Sequence, residues 1–419
     1  MALGLGATGA AAQDAPVTLQ FWQPDTREDW LNAVDLVIKD FQVEHPNVTV
    51  EFTTTDWDQL LPKLTAAAAA GSVPDLYYLD TPVPVFGAAS SGLLTPVTDV
   101  VNQVGADQWP QAMLDAVSLD GEIYGMPLYT YPQVLWYRKD LLEQAGIAAP
   151  QTLADVLAAA QQLNDPGAKF YGTALYNDLN DPQIIAEVCA SFGCSLFDGA
   201  GNVTINSPET VAALGYLKEL WATGSPDAIS KADLDARLVF STGGAAFDFT
   251  SVSFSNELAS PDSVVKLDQV AAIQIPNEAK KVPATPAAFA SMTIPNGAPN
   301  ADLAKEFLAF WARPDEFVKF AENTVIGHIG VMTSVSDPAS SYWTSPRIAP
   351  LAPFMKAGLD GASEDGFVIG GYPKINTCGP QVLAAGVYTD ATAHLVVDDW
   401  TPEQTAQWMD EQTRQLCGL

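Results

Sequence analysis

Apolar positions alternate along the first ordered-looking stretch, with Val17, Leu19 and Phe21 separated by polar residues, which predicts a strand running into the turn "QPDTRED". Trp30, Val34, Val37, Ile38 and Phe41 then keep helical spacing until "EHPN" breaks the pattern. Val48 to Phe52 reads as a second strand, and "LLPKLTAAAAAG" as a helix with Gly71 as its C-terminal cap. "LYYL", Leu76 to Leu79, is a short, wholly apolar third strand that stops at Asp80. Strand, helix, strand, helix, strand in this order predicts an α/β layer around a parallel sheet buried on both faces. Further on, the segment Gly125 to Leu142, "GMPLYTYPQVLWYRKDLL", has the apolar content of a buried strand but carries Pro127 and Pro132. A period of two puts Tyr129 and Tyr131 on one side of it. The middle of the chain is helical and alanine-rich, with capped starts at "TLADVL" and "SPETVAAL" around a hairpin-like "FDGAGNVTI". "ADLAKEFLAFWARPDEFVKFAEN" predicts a long amphipathic helix or helix pair, and "TPEQTAQWMDEQTRQL" a capped terminal helix.

A chain of 419 residues exceeds what one hydrophobic core usually supports, so two or three domains are expected. The charge balance narrows the partners: 50 acidic against 19 basic residues give a net charge of −31. Such a field repels nucleic acid and anionic lipid, and it disfavours an anionic ligand unless a well-placed cation such as Arg27 overrides it. Apolar content of 48% is ordinary, and no run of about 18 apolar residues reads as a membrane span. Residues 1–12 are small and apolar with an alanine-rich end, and read as the remnant of a secretory signal peptide that lacks its positive start. The "GLGATG" within them matches a dinucleotide fingerprint only superficially, since no strand precedes it and no helix pattern follows. In an exported protein Cys189, Cys194, Cys378 and Cys417 read as two disulfides. Three pairings exist in principle, and 189–194 with 378–417 is the preferred one.

Candidate chemistry points to binding rather than catalysis. His45, His328 and His394 are far apart and read as ordinary polar residues, and the nucleophile-elbow, zincin and phosphate-loop motifs are absent from the sequence. No cofactor or metal is called for. Aromatic and amide or carboxylate side chains do gather just past the predicted strands: Trp22, Gln23 and Asp25, then Trp57, then Asp80 and Thr81, then Tyr129 and Tyr131. In open α/β sheets ligands bind beyond the carboxyl ends of strands. Ring faces that stack on sugar C–H bonds, beside acceptors for hydroxyls, suit a neutral polyol. Trp136, Trp221 and Trp311 read as core.

Five blocks in order carry a resemblance. "GSVPDLYYLDTPVPVFGAASSGLLTPV", "DGEIYGMPLYTYPQVLWYRKDLLEQAGI", "LFDGAGNVTINSPETVAAL", "FSTGGAAFDF" and "NADLAKEFLAFWARPDEF" resemble segments of the extracellular solute-binding proteins of ABC importers, the family that includes maltose-binding protein. The resemblance implies an α/β, two-lobed periplasmic-binding-protein fold with mixed, mostly parallel sheets, helices on both faces and a ligand cleft between lobes. It implies a first lobe from 13–130 with 271–326, a second from 131–270 with 327–419, and a first crossover at Pro127 and the strand after it. The implied function is capture of a carbohydrate by domain closure, without turnover, by a periplasmic monomer that delivers it to membrane permease subunits. Implied ligand contacts are the turn with Gln23 and Asp25, Trp57, Asp80 and Thr81 in first-lobe loops, Tyr131 at the crossover, and Asn177, Asn180 and Tyr372 in later loops, beside Trp22 and Tyr129 read from the residues themselves. Where many relatives have a stacking Trp after the "AAF" block this chain reads "SVSFS", so either Phe249 or Phe254 substitutes or that stack is lost. A non-sugar solute (polyol phosphate, polyamine or a metal, the last suggested by the paired tyrosines) stays open, as does a secreted carbohydrate-active enzyme.

Overall fold

The computed structural model of the chain describes residues 15–179, 182–277, 279, 288–362, 376 and 378–419. Its strands are β1 (Val17–Gln23), β2 (Val48–Thr54), β3 (Leu76–Leu79), β4 (Leu94–Thr95), β5 (Ser118–Leu119), β6 (Glu122–Ile123), β7 (Met126–Thr130), β8 (Gln133–Arg138), β9 (Tyr171–Ala174), β10 (Ala245–Ser251), β11 (Val270–Ile273), β12 (Phe289–Pro295) and β13 (Ile329–Gly330). One sheet runs β13-β7-β12-β3-β1-β2 with β4 on β12, a second runs β11-β8-β10-β9, and β5 and β6 form a short ribbon. The predicted elements up to Asp80 are all present, and Gly71 caps its helix with a left-handed φ of 64°.

The helix Glu28–Glu44 forms because its apolar stripe meets β1. Trp30, Val34, Val37, Ile38 and Phe41 are buried, and Phe21 lies 6.2 Å from Trp30 and 5.3 Å from Phe52 between ring centroids. Full burial of each such side chain stabilises the lobe by roughly 1.5–3 kcal/mol. Buried Asp75 ties this layer together: its carboxylate accepts from the backbone N–H of Gln20 at 2.9 Å and of Asn300 at 2.8 Å, joining β1 to the start of helix Ala301–Trp311.

Among the described residues, parallel pairing is confined to β1–β2, β1–β3 and β9–β10, while β12, β7, β13, β8 and β11 join by antiparallel pairing. The sheets are therefore mixed, as expected, but not mostly parallel. The physical reason is that β12 and β13 enter the first sheet from elsewhere in the chain rather than through a βαβ crossover, so nothing imposes the parallel sense. Strand membership also moves two expected boundaries. Residues 271–273 belong to β11 in the second sheet, and β13 at 329–330 belongs to the first.

The chain passes from β7 to β8 through Tyr131 and Pro132 alone. Pro127 lies inside β7, where the pairing with β12 shifts register between Ala290 and Ser291. A proline inside a sheet is tolerated at such an irregularity because its missing N–H leaves no broken ladder bond. Trp136 and Tyr137 are buried in the second lobe, with Trp136 stacked on Phe354 at 5.2 Å. Both expected disulfides, Cys189–Cys194 and Cys378–Cys417, are formed.

One buried acid stands out in the second sheet. Asp248 on β10 is fully buried, and neither carboxylate oxygen has a hydrogen-bond partner among the described residues. Burial, and then repulsion from Asp233, hold it well above the ordinary Asp value of 3.8, with Arg237 only partly offsetting them. The folded state therefore keeps a proton that the unfolded chain releases, so stability falls as pH rises above 3.8 toward the folded-state value. Asp248→Asn removes that slope. Denaturant titrations should find it at least as stable as wild type at pH 5 and about 1 kcal/mol or more stabler at pH 8. The second prediction concerns Cys378–Cys417, which closes a separation of 39 residues and anchors the terminal helix Pro402–Cys417. Replacing both cysteines by serine should lower unfolding stability by about 2–4 kcal/mol, measured by denaturant melts under oxidising conditions.

Candidate functional site

Polar groups converge where β1 and β3 end and β7 leaves the first sheet. Past β1, the backbone N–H of buried Asp25 donates to the Gln23 side chain. Asp25 in turn receives the Arg27 backbone N–H and Nε, each at 2.9 Å, and its second oxygen pairs with the same guanidinium. Burial alone would lower the Arg27 pKa, but Asp25 outweighs it and holds the guanidinium firmly charged. Past β3, Asp80 Oδ1 accepts from the Tyr131 hydroxyl at 2.7 Å and the Tyr78 hydroxyl at 3.3 Å. The Tyr78 and Tyr129 hydroxyls are 2.7 Å apart, so Tyr131, Asp80, Tyr78 and Tyr129 form one continuous chain. Burial raises the Asp80 pKa although both tyrosine bonds oppose it, and burial likewise pushes the Tyr78 and Tyr129 phenols up.

Two further features frame this cluster. Trp57, 44% exposed, stands edge-on to Tyr78 at 5.9 Å. Thr81 has φ 57° and ψ 154°, a conformation rare for a β-branched residue, and immediately precedes helix Pro82–Ser90. Strain of this kind costs about 1–3 kcal/mol and concentrates at functional sites.

His328, which sequence reasoning set aside, joins the cluster. Its ring lies parallel to Tyr129 at 4.1 Å and 5.8 Å from Tyr131. Burial holds it well below the ordinary histidine value, reinforced by the charges of Arg27 and Arg237. Arg237, on helix Asp233–Ser241 of the second lobe, pairs with Asp233 at 2.7 Å and donates to Thr250, Ser251 and Ser253. Tyr78 and His328 carried no sequence signal: one sits in an apolar strand and the other is a lone histidine. The antiparallel pairing of Gly330 with Tyr129 and Ile329 with Thr130 is what brings His328 alongside Tyr131.

Other predicted contacts lie elsewhere. Trp22 is not part of this cluster: alternation along β1 puts it beside Tyr77, 6.1 Å away, with the Lys63 ammonium 4.6 Å above its ring. Phe249 and Phe254 are fully buried, Phe254 edge-on to Trp136 and to Phe240 at 5.7 Å each. They are core side chains, because the turn after β10 folds back onto the second sheet and does not project outward. Asn177 is half-buried and donates through Nδ2 to the Thr389 carbonyl at 3.0 Å, away from the Asp80 chain in its bonding. Asn180 and Tyr372 lie outside the described residues. Among the described residues no three His, Cys, Asp or Glu side chains converge as a metal site.

The arrangement offers hydroxyl donors, carboxylate acceptors and an exposed ring edge beside a crossover between sheets. A family model described as bacterial extracellular solute-binding protein matches residues 26–316. The mannitol-binding protein of Pseudomonas aeruginosa is 25% identical over 332 residues, 77% of this chain and 74% of that protein. YcjN of Escherichia coli is 27% identical over 217 residues, so this chain matches about half of YcjN, 50% of each. Maltose-bound MalE3 of T. maritima superposes with a TM-score of 0.79 at 20% identity, covering 95% of this chain and 99% of that one, which establishes the two-lobed fold. The chain belongs to the bacterial extracellular solute-binding protein family.

Proposed function

We propose that this protein is the substrate-binding component of an ABC importer and captures a neutral sugar or sugar alcohol between its lobes. The observation that carries the reading is the Tyr131–Asp80–Tyr78–Tyr129 hydrogen-bond chain at the carboxyl end of β3, beside exposed Trp57. Asp80 accepts from hydroxyls, the tyrosines donate or accept, and the Trp57 ring covers C–H surface. Both nearby arginines are already paired with carboxylates, Arg27 with Asp25 and Arg237 with Asp233 and Glu257, which leaves little uncompensated positive charge for an anionic cargo. The mannitol-binding and maltose-bound relatives support the same ligand class.

The first lobe in this reading comprises the first sheet, and the second comprises β8 to β11 with the C-terminal helices. Ligand contacts are Gln23, Asp25, Trp57, Asp80, Thr81, Tyr129 and Tyr131 from the first lobe, with Asn177 from the second. Ligand that touches both lobes binds the closed form better and so shifts the population toward it. The protein then binds reversibly, without turnover, as an extracytoplasmic monomer that hands its cargo to a membrane permease. Among the described residues no helix is long and apolar enough to cross a membrane.

A thermal-shift screen with mannitol, ribitol, maltose, amino acids and metal ions tests the class, because bound ligand raises apparent stability by mass action. A sugar or sugar alcohol should give the largest shift, and a response confined to amino acids or metals would overturn the reading. Tyr131→Phe removes a donor to Asp80 while keeping the ring. Calorimetric titration should show about tenfold weaker sugar binding, near 1.4 kcal/mol, with the ligand-free melting temperature changed by no more than about 2 °C.

A further inference from the structure

His328 occupies an unusual place in the fold. The residue before it, Gly327, has φ +91°, and a Cβ there would lie 2.3 Å from Ser253 Cα and 2.7 Å from Ser253 N. The turn that ends in His328 therefore meets the turn after β10 backbone to backbone, at the seam between the two sheets. The residue after it begins β13, which pairs with β7, and this register carries His328 up against the Tyr129 ring. His328 is 6% exposed, and its Nδ1 has no hydrogen-bond partner among the described residues. A buried ring nitrogen left in this state costs about 1–3 kcal/mol. Nothing in the packing demands it, since a phenylalanine would give Tyr129 the same stacking face without the cost. An unprotonated imidazole offers one acceptor and one donor, a match for a hydroxyl group that can serve as either.

We propose that His328 is a ligand contact of the interlobe cleft, hydrogen-bonding a hydroxyl of the bound sugar or sugar alcohol through its unpartnered ring nitrogen; this rests on the polyol reading above. The inference adds a group at the seam to the wall formed by Asp80 and Tyr131. It also explains why a polar ring stands in an aromatic stack with Tyr129. Burial, reinforced by the charges of Arg27 and Arg237, keeps the ring neutral, so that its lone pair stays available to a hydroxyl donor.

The test uses the full chain with mannitol, ribitol and maltose as probes. His328→Phe should keep or raise the ligand-free melting temperature while weakening binding about tenfold, a combination that a purely structural histidine would not give. Imidazole nitrogen resonances of the wild type, assigned to His45, His328 and His394 through single variants, supply a readout that needs no altered site. Saturating probe should move the His328 resonances and leave those of His45 and His394 in place. Unchanged affinity in His328→Phe, or an unmoved His328 signal on saturation, overturns the proposal while Tyr131→Phe still weakens binding. If none of the three probes binds wild type, the polyol reading and the His328 contact fall together.

Discussion

Only Tyr131 and Pro132 separate the end of β7 in one sheet from the start of β8 in the other, and that short link constrains the rest of the molecule. A two-residue link cannot span a gap, so the sheets must abut there. Other passes of the chain are drawn to the same place. The Thr130 hydroxyl and the Tyr131 backbone N–H both donate to the Ala288 carbonyl, at 2.8 and 3.2 Å, just ahead of β12. The Val252 N–H donates to the Pro132 carbonyl at 2.9 Å, and a Cβ on Gly358 would lie 3.0 Å from that proline's Cβ. Gly327 completes the set against Ser253. The two sheets thus meet through close backbone approaches at Gly327 and Pro132 and a glycine, Gly358, set against the Pro132 and Val252 side chains.

The same link also places the side chains of the candidate site. The Tyr131 N–H still bonds the Ala288 carbonyl ahead of β12 while its hydroxyl reaches Asp80 at the end of β3, and the period of two puts Tyr129 on the same side, against Tyr78. The two prolines therefore have different jobs. Pro127 sits at a register shift within β7, whereas Pro132 fixes the backbone where it changes sheets.

Much of the first lobe was legible because its helices and strands each bury one face, and a buried face writes its period into the sequence. The run from Val17 to Asp80 and the stripe from Trp30 to Phe41 are of this kind. Strand direction was not legible for β12 and β13, since an antiparallel return and a parallel one bury the same residues. The aromatic positions show the same limit at the candidate site. Trp22, Trp57 and Phe254 all follow or end a strand, yet one lies beside Tyr77 under Lys63, one is exposed and one is core. Which it becomes depends on the partner across the sheet, and that partner comes from distant sequence. His328 was invisible for this reason: its neighbours Tyr129 and Arg237 are set by β13 pairing with β7 and by the seam at Ser253.

Electrostatics at the seam closes the account of ligand class. The chain carries a net charge of −31, which on its own would favour a cationic cargo. Inside the site the charges are settled locally instead. Asp25 is matched to Arg27, and Asp233 and Glu257 to Arg237. His328 is kept neutral, and Asp80 accepts from two tyrosines while burial raises its pKa. An anionic ligand entering such a place would be desolvated without finding an unpaired cation, which costs several kcal/mol per ion. Hydroxyl groups face no such penalty, since each can donate to Asp80 or accept from a tyrosine at ordinary hydrogen-bond distance. In the proposed function the acidic surface then governs solubility and encounter, while the paired interior governs which solute is kept.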